Sequence, residues 1–237
     1  MKVKYATICE KGKRYNNEDS FGVVVNAEKS CWMGIVADGL GGHCCGETAS
    51  EIVVSVFKKF WQENLNVEDS EEKIKAACKE VSEILDKKAD VLNHVEMGST
   101  MAMVSIEGDM ATIAHIGDSR CYLIRKGFYD YDDINNTEKD HVVYKTIDHH
   151  HPGGEILSKC FFSYRPEVAI ADVAQFKVEP NDRILICSDG LYNSILPNIL
   201  KDRMMDDKTP EQILDTFAFL CEKFGNDNYT GIMAIIE

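Results

Sequence analysis

Four aspartates, each standing where an apolar run begins or ends, constrain this chain more than any other feature. They are Asp19 in Arg14-Tyr-Asn-Asn-Glu-Asp, Asp38 in Val-Ala-Asp-Gly-Leu-Gly-Gly, Asp189 in Cys-Ser-Asp-Gly-Leu and Asp227 in Asn-Asp-Asn-Tyr-Thr. Carboxylates from such distant points meet only in a folded site, and a hard divalent cation is what holds that much negative charge together. The runs Ser20 to Val25 and Cys31 to Ala37 read as strands joined by the polar segment Asn-Ala-Glu-Lys-Ser. A hairpin about that segment sets Asp19 beside Asp38. The strand Arg183 to Cys187 delivers Asp189 at its carboxyl end, and Asp227 stands just before a last strand, Tyr229 to Ile236. All four carboxylates are therefore expected at strand ends, where loops on a rigid sheet carry function.

Further strands are expected at Val3 to Cys9, Thr100 to Ile106, Met110 to Ile116, Cys121 to Ile124, His141 to Thr146 and Val173 to Val178. Tight breaks such as Glu107-Gly-Asp109 favour antiparallel neighbours. Three helices are expected. The first carries Ala49, Ile52, Val53, Val56, Phe57, Phe60 and Trp61 at helical spacing. The second opens at a Ser70 N-cap and carries the stripe Ile74, Ala77, Cys78, Val81, Leu85 and Leu92. The third opens on Thr209-Pro-Glu-Gln, an N-cap, a first-turn proline and a capping-box glutamine, and closes at Gly225. Periodicity alone gives an α+β class and no more.

At 237 residues and 44% hydrophobic, with no Pro, Gly or Ser linker, residues 1–237 read as one compact domain. A formal charge of -14 and the lack of a basic stripe argue against a nucleic-acid partner. No apolar run approaches the ~20 residues of a membrane span, so no membrane partner is expected. The nine cysteines are an odd number, and the amino-terminal Met-Lys-Val-Lys-Tyr-Ala-Thr has no apolar signal core. A reducing cytoplasm is the expected location, with Cys78, Cys187 and Cys221 acting as small hydrophobes. Cys44-Cys45 has no CxxC partner and is read as carrying no redox or zinc function.

In order, Arg14-x-x-Asn17-Glu18-Asp19, Val36-Ala-Asp38-Gly39-Leu-Gly-Gly-His43, Gly98-Ser-Thr100, Gly117-Asp118-Ser-Arg120, Ser188-Asp189-Gly190 and Asp227-Asn228-x-Thr230 resemble the metal-dependent Ser/Thr protein phosphatases of the type 2C family, in its short bacterial form. The resemblance runs from about Ala6 to Ile236. Each block alone is weak, because Asp-Gly and Gly-Asp-Ser are common turn sequences; six in the family's order are a strong signal.

The resemblance implies a four-layer αββα sandwich, two antiparallel sheets with a helix pair against each outer face. It also implies two Mn2+ or Mg2+ ions, with the possibility of a third. Asp38 would bridge the two ions, with the Gly39 carbonyl as a further ligand. Asp189 and Asp227 would complete one shell, and Glu18 and Asp19 would serve the other, largely through water. Arg14 matches the phosphate-binding arginine, whose planar fork suits a phosphoryl group. Two such ions activate a water and steady the attacking and leaving oxygens of an in-line displacement. Asp118 is either a ligand of a third, weaker ion or a turn aspartate. The implied partner is a phosphorylated protein substrate, and a monomer is expected. A different class, a silent member that binds phosphorylated or regulatory partners through the same fold, would be marked by loss of a metal aspartate; none is lost here.

Two departures from the family stand out. Leu40 replaces the histidine that follows Asp-Gly in animal relatives, which leaves the general acid unassigned. His43 is read as a structural residue at a helix entry and His115 as a buried, hydrogen-bonded core histidine. Between Lys126 and Asp172 the usual flap is short or rebuilt, with the acidic Tyr129-Asp-Tyr-Asp-Asp, then Asp148-His-His-His-Pro-Gly-Gly and the aromatic Phe161-Phe-Ser-Tyr. His149, His150 and His151 are expected in an exposed loop, since three consecutive histidines cannot all face one ion on a regular strand.

Overall fold

A computed structural model describes the chain apart from residues 27, 29, 41–44, 65–70, 129–140 and 155. Expectations at Ser70, at His43 and Cys44 and at the acidic loop from Tyr129 fall outside the described residues. Twelve strands and five α-helices are described: β1 (Val3–Glu10), β2 (Asp19–Asn26), β3 (Cys31–Asp38), α1 (Gly46–Glu63), α2 (Glu71–Val91), β4 (Gly98–Ser99), β5 (Met101–Glu107), β6 (Met110–Ile116), β7 (Arg120–Ile124), β8 (Val142–Lys145), β9 (Phe161–Phe162), β10 (Asp172–Lys177), β11 (Arg183–Cys187), α3 (Asp189–Asn193), α4 (Pro197–Met204), α5 (Pro210–Phe224) and β12 (Tyr229–Ile236).

The strands form two antiparallel five-stranded sheets, in the orders β1-β12-β11-β7-β8 and β10-β6-β5-β3-β2, with β4 and β9 as a separate short pair. Every strand expected from sequence is present within a residue or two of its boundaries. The short helices α3 and α4 and the two-residue strands β4 and β9 are additions.

Side-chain alternation sorts the sheets into layers. Along β3, Trp32 and Val36 enter the core between the two sheets, whereas Met33, Ile35 and Ala37 enter the core under α1 and α2. Along β11, Ile184 and Ile186 face the other sheet while Leu185 and Cys187 face the core shared with α3, α4 and α5. Both faces of each sheet are thus covered, and the order of layers is helices, sheet, sheet, helices. Cys78, Cys187 and Cys221 are buried in these cores, and the described cysteines form no disulfide.

The third helix begins as its sequence dictates. Gln212 N donates to Thr209 Oγ1 at 3.4 Å, Thr209 N donates to Gln212 Oε1 at 3.2 Å, and Pro210 occupies the first helical position. The entry to α1 depends instead on a close backbone approach. A Cβ added to Gly39 would lie 2.2 Å from the Gly46 carbonyl oxygen and 2.8 Å from that of Glu18, so only glycine lets the end of β3 pass the first residue of α1. Helix α1 is thereby fixed against the strand ends that carry Asp19 and Asp38.

Candidate metal centre

The β2–β3 hairpin places its carboxylates as the sequence implies, with Asp19 and Asp38 as direct register partners. The end of β3 is held by its backbone: Thr100 Oγ1 accepts from Asp38 N at 3.0 Å, and Thr100 N donates to Asp38 O at 2.9 Å. Leu40 N donates to Gly98 O at 3.0 Å, so the Gly39–Ser99 bridge uses its neighbours' groups and leaves the Gly39 carbonyl outside the ladder.

From the other sheet, β11 runs into Ser188 and then α3, so Asp189 is a first-turn residue of a short helix rather than part of an irregular loop. The chain returns through Asp227 into β12. These elements enclose a cavity of about 750 Å³ whose lining includes Arg14, Glu18, Asp38, Gly39, Asp118, Asp189 and Asp227. Asp19 lies beneath this basin, 6% exposed, with Ser188 Oγ donating to its Oδ2 at 2.7 Å. Of the metal-ligand candidates, all but Asp19 line the basin; Asp19 is instead buried at the register position opposite Asp38 and borders a separate groove with Cys9 and Lys58.

Charge in the basin is heavily one-sided. Burial pushes the Asp19 carboxyl up to about 6, and nearby Asp189 adds to the shift. Asp189 is likewise pushed up to about 6, by burial and then by Asp118 and Asp227. Asp38 is driven well above the usual carboxylate range by burial and then by Asp19, Asp189 and Asp118. Among the opposing cations, Arg14 Nη2 donates to Asp227 Oδ2 at 2.7 Å on the exposed rim. Asp19 Oδ1 is buried without a hydrogen-bond partner, which is costly unless something positive completes it. An orphaned carboxylate oxygen beside crowded, repelling carboxylates fits divalent cations held by oxygen ligands.

Family assignment rests on one comparison above all: the family model of protein phosphatase 2C matches residues 11–229. The chain belongs to the protein phosphatase 2C family. Among the relatives of this phosphatase, the serine/threonine phosphatase stp of Listeria innocua is 28% identical over 230 residues, covering 93% of this chain and 90% of that one. Protein phosphatase PhpP of Streptococcus pneumoniae serotype 2 is 30% identical over 228 residues, covering 92% and 91%. The catalytic domain of the serine/threonine protein phosphatase PstP, solved in complex with two manganese ions, shares the fold with a TM-score of 0.77 at 23% identity over 99% of both chains. The four-layer α+β sandwich implied by the resemblance is therefore the fold of this 2C phosphatase. Among the described residues no helix is long and apolar enough to cross a membrane.

Three features of the phosphatase's site escape sequence reasoning. Asn228 is a hub: its Oδ1 accepts from Glu18 N at 2.9 Å, and its Nδ2 donates to Lys11 O and Asn16 O, both at 2.8 Å. It ties the segment bearing Arg14 and Glu18 to the residue after Asp227. Arg120 grips Asp148 with a two-pronged contact, Nε to Oδ1 at 2.8 Å and Nη2 to Oδ2 at 2.6 Å, while its guanidinium lies 3.5 Å from the centre of the Tyr192 ring.

The third feature corrects the reading of His149 as part of an exposed loop. His149 is buried, with its Nε2 3.0 Å from Asp172 Oδ2, whereas His150 and His151 are exposed as expected, His150 lining the basin. Alternation along the extended backbone sends the first two side chains to opposite sides, one into the core and one to the cavity. His115 is buried as expected, its Nε2 2.8 Å from Ile147 O.

Metal and pH should act together on stability. Folded Asp19 and Asp189 titrate near 6 without metal, against roughly 4 in an unfolded chain. Between those values the folded state keeps protons that the unfolded state has released, so stability from these groups falls as pH rises through the window and stays lost above it. Mn2+ is therefore expected to raise Tm more at about pH 7.5 than at about pH 5, where its ligands must first lose protons. Thermal melts with Mn2+ and with EDTA at both pH values check this, and equal gains at the two would contradict it.

Proposed function

We propose that the acidic basin is the catalytic centre of this metal-dependent serine/threonine protein phosphatase, and that residues 1–237 act as one catalytic domain which hydrolyses phosphoserine and phosphothreonine in proteins. The observation that carries the proposal is the convergence of Asp38, Asp189 and Asp227, with Arg14, on one cavity, and Asp19 as the register partner of Asp38 beneath it.

Asp38, Asp189 and Asp227, with the Gly39 carbonyl, would hold the two cations, Glu18 and Asp19 would serve them largely through water, and Asp118 would offer a third, weaker position. When bound, the pair of ions supplies Lewis acidity and an activated water for in-line displacement at phosphorus. Mn2+ and Mg2+ both suit the oxygen donors. Arg14 binds and orients the phosphoryl group at the mouth of the cavity. Its present contact with Asp227 keeps the guanidinium on the carboxylate side, where a phosphate would arrive.

No cysteine or serine is among the described residues lining the cavity, and the Thr100 hydroxyl is already engaged with Asp38 N and Ser119 Oγ. The family resemblance implies that attack comes from water, without a covalent enzyme intermediate. Asn228 and Ser188 orient: the first holds the segment from Lys11 to Glu18, and the second fixes Asp19 while accepting from Thr230 N at 3.0 Å. Leu40 also lines the cavity, so the position of the missing histidine is apolar.

The test is hydrolysis of an aryl phosphate and a phosphothreonine peptide with Mn2+, with Mg2+ and with EDTA, alongside Asp189→Asn. Metal-dependent turnover lost in the variant supports the enzyme. No turnover with either ion in a folded protein would favour the silent binding member instead. Arg14→Ala is expected to raise KM for the phosphopeptide about tenfold with a smaller change in kcat; an unchanged KM removes Arg14 from phosphate binding.

A further inference from the structure

We infer that His150 is a nitrogen ligand of the weaker cation position at Asp118, and that this donor makes the position prefer Mn2+ to Mg2+. The inference rests on the metal-dependent reading of the basin and specifies the chemistry of one of its positions.

His150 Nε2 lies 3.4 Å from Asp118 Oδ2, and both side chains line the cavity. Neighbouring ligands about 2.1 Å from one octahedral ion stand about 3 Å apart, so the pair needs only a small adjustment to share a cation.

The pair is held in place by the residues that precede each member. His149 N donates to Gly117 O at 3.0 Å, and Gly117 N donates to His149 Nδ1 at 3.1 Å. Two bonds thus lock Gly117–Asp118 against His149–His150. Gly117 has a φ of +96°, which a residue with a side chain rarely adopts. Because Nδ1 of His149 accepts, its Nε2 carries the proton and donates to Asp172 Oδ2, whose other oxygen takes Lys159. The ring also stacks on His115, with centroids 4.4 Å apart.

Downstream, His150 bridges to Leu157, and Ser158 N donates to His149 O at 2.8 Å. On the other side Tyr192 Oη donates to Asp118 O at 3.0 Å. A carboxylate and an imidazole are thereby presented to one cavity from two braced backbones.

The buried trio His115, His149 and Asp172 also gathers ligand-type atoms. There, however, His149 Nδ1 is taken by the Gly117 N–H and Asp172 by His149 and Lys159, so proton partners already fill the places an ion would need. The Asp118–His150 pair faces open cavity instead. Mg2+ requires oxygen donors and dehydrates reluctantly, whereas Mn2+ accepts imidazole nitrogen as well. A single nitrogen donor is sufficient to separate the two ions at a weak position.

The test uses the full chain titrated with Mn2+ and separately with Mg2+. Calorimetry counts the ions bound, and pulsed electron paramagnetic resonance of Mn2+ reads coupling to 14N. The wild type is expected to take a third, weaker Mn2+ whose binding brings in a nitrogen coupling. His150→Ala should weaken that ion at least about tenfold and remove the coupling. His150→Asp should restore a third ion without nitrogen coupling and let Mg2+ fill the position as readily as Mn2+.

A third Mn2+ that binds without nitrogen coupling, or that binds unchanged in His150→Ala, overturns the role of His150 while leaving the Asp118 position intact. No third ion in the wild type overturns both His150 and the Asp118 position, with the two tighter ions still counted independently. Failure to bind any ion would overturn the metal-dependent reading itself.

Discussion

Asp38→Asn is expected to abolish phosphopeptide hydrolysis, by about a thousandfold or more in kcat, while the protein without metal becomes as stable as the wild type or more so. A thousandfold corresponds to about 4 kcal/mol of lost transition-state stabilisation, the scale appropriate to the shared-ligand role proposed for this carboxylate. Survival of the fold follows from the backbone. Asp38 N and O are held by Thr100, and Ser99 Oγ also donates to Asp38 O at 3.0 Å, backbone bonds that Asp38→Asn leaves in place. The gain in stability follows from charge, since burial and three neighbouring carboxylates favour a neutral group at this position. Activity assays with Mn2+ and melts in EDTA read the two effects separately. Near-normal turnover would remove Asp38 from the metal site, and a large drop in the EDTA melt would mean that the carboxylate serves the fold.

Asn228→Ala is expected to have the second largest effect, and on both properties. Removing the carboxamide strands Glu18 N and Asn16 O around a residue that is itself 6% exposed, and leaves Lys11 O with Arg14 N alone, at 3.3 Å. At roughly 1 kcal/mol or more for each group left unpaired, the loss is about 2 kcal/mol, or about 4 to 8 °C in Tm for a chain of this size. The freed segment carries Arg14 and Glu18, so kcat/KM for the phosphopeptide should fall about a hundredfold, with KM for phosphate and for Mn2+ both rising. Asn228→Asp keeps the acceptor for Glu18 N but cannot donate to the two carbonyls, and should lie between wild type and alanine. A wild-type Tm and KM in Asn228→Ala would show that the segment is held without this hub.

The particular elements explain what could be read from sequence. Asp19 and Asp38 were legible because a hairpin obeys local rules: two β-rich runs and a polar turn fix which residues face each other. The cap of α5 was legible because Thr209, Pro210 and Gln212 each satisfy a stated backbone need. Layer order was not legible from periodicity, since β3 and β11 bury both faces and so show continuous apolar runs instead of alternation; it came from the family's motifs. Helix α3 was missed because five residues opening on Asp-Gly have no helical period and little helix propensity. His149 was misread because what draws it inward, Gly117 and Asp172, lies far along the chain; His150 is exposed as read, and only its place beside Asp118 on the basin was not legible. A polar triplet next to Pro-Gly-Gly carries the composition of a surface loop whatever it contacts.

The register between β2 and β3 has a consequence for how such a chain can vary. Asp19 and Asp38 oppose each other because equal numbers of residues separate each from the turn, Asn26 pairing with Cys31. Additions between Asn26 and Cys31 leave that count untouched, so the turn is free to lengthen. A single deletion inside β2 would shift every residue before it by one place and turn Asp19 to the opposite face of the sheet. In this hairpin, length is a tolerant variable and parity is not.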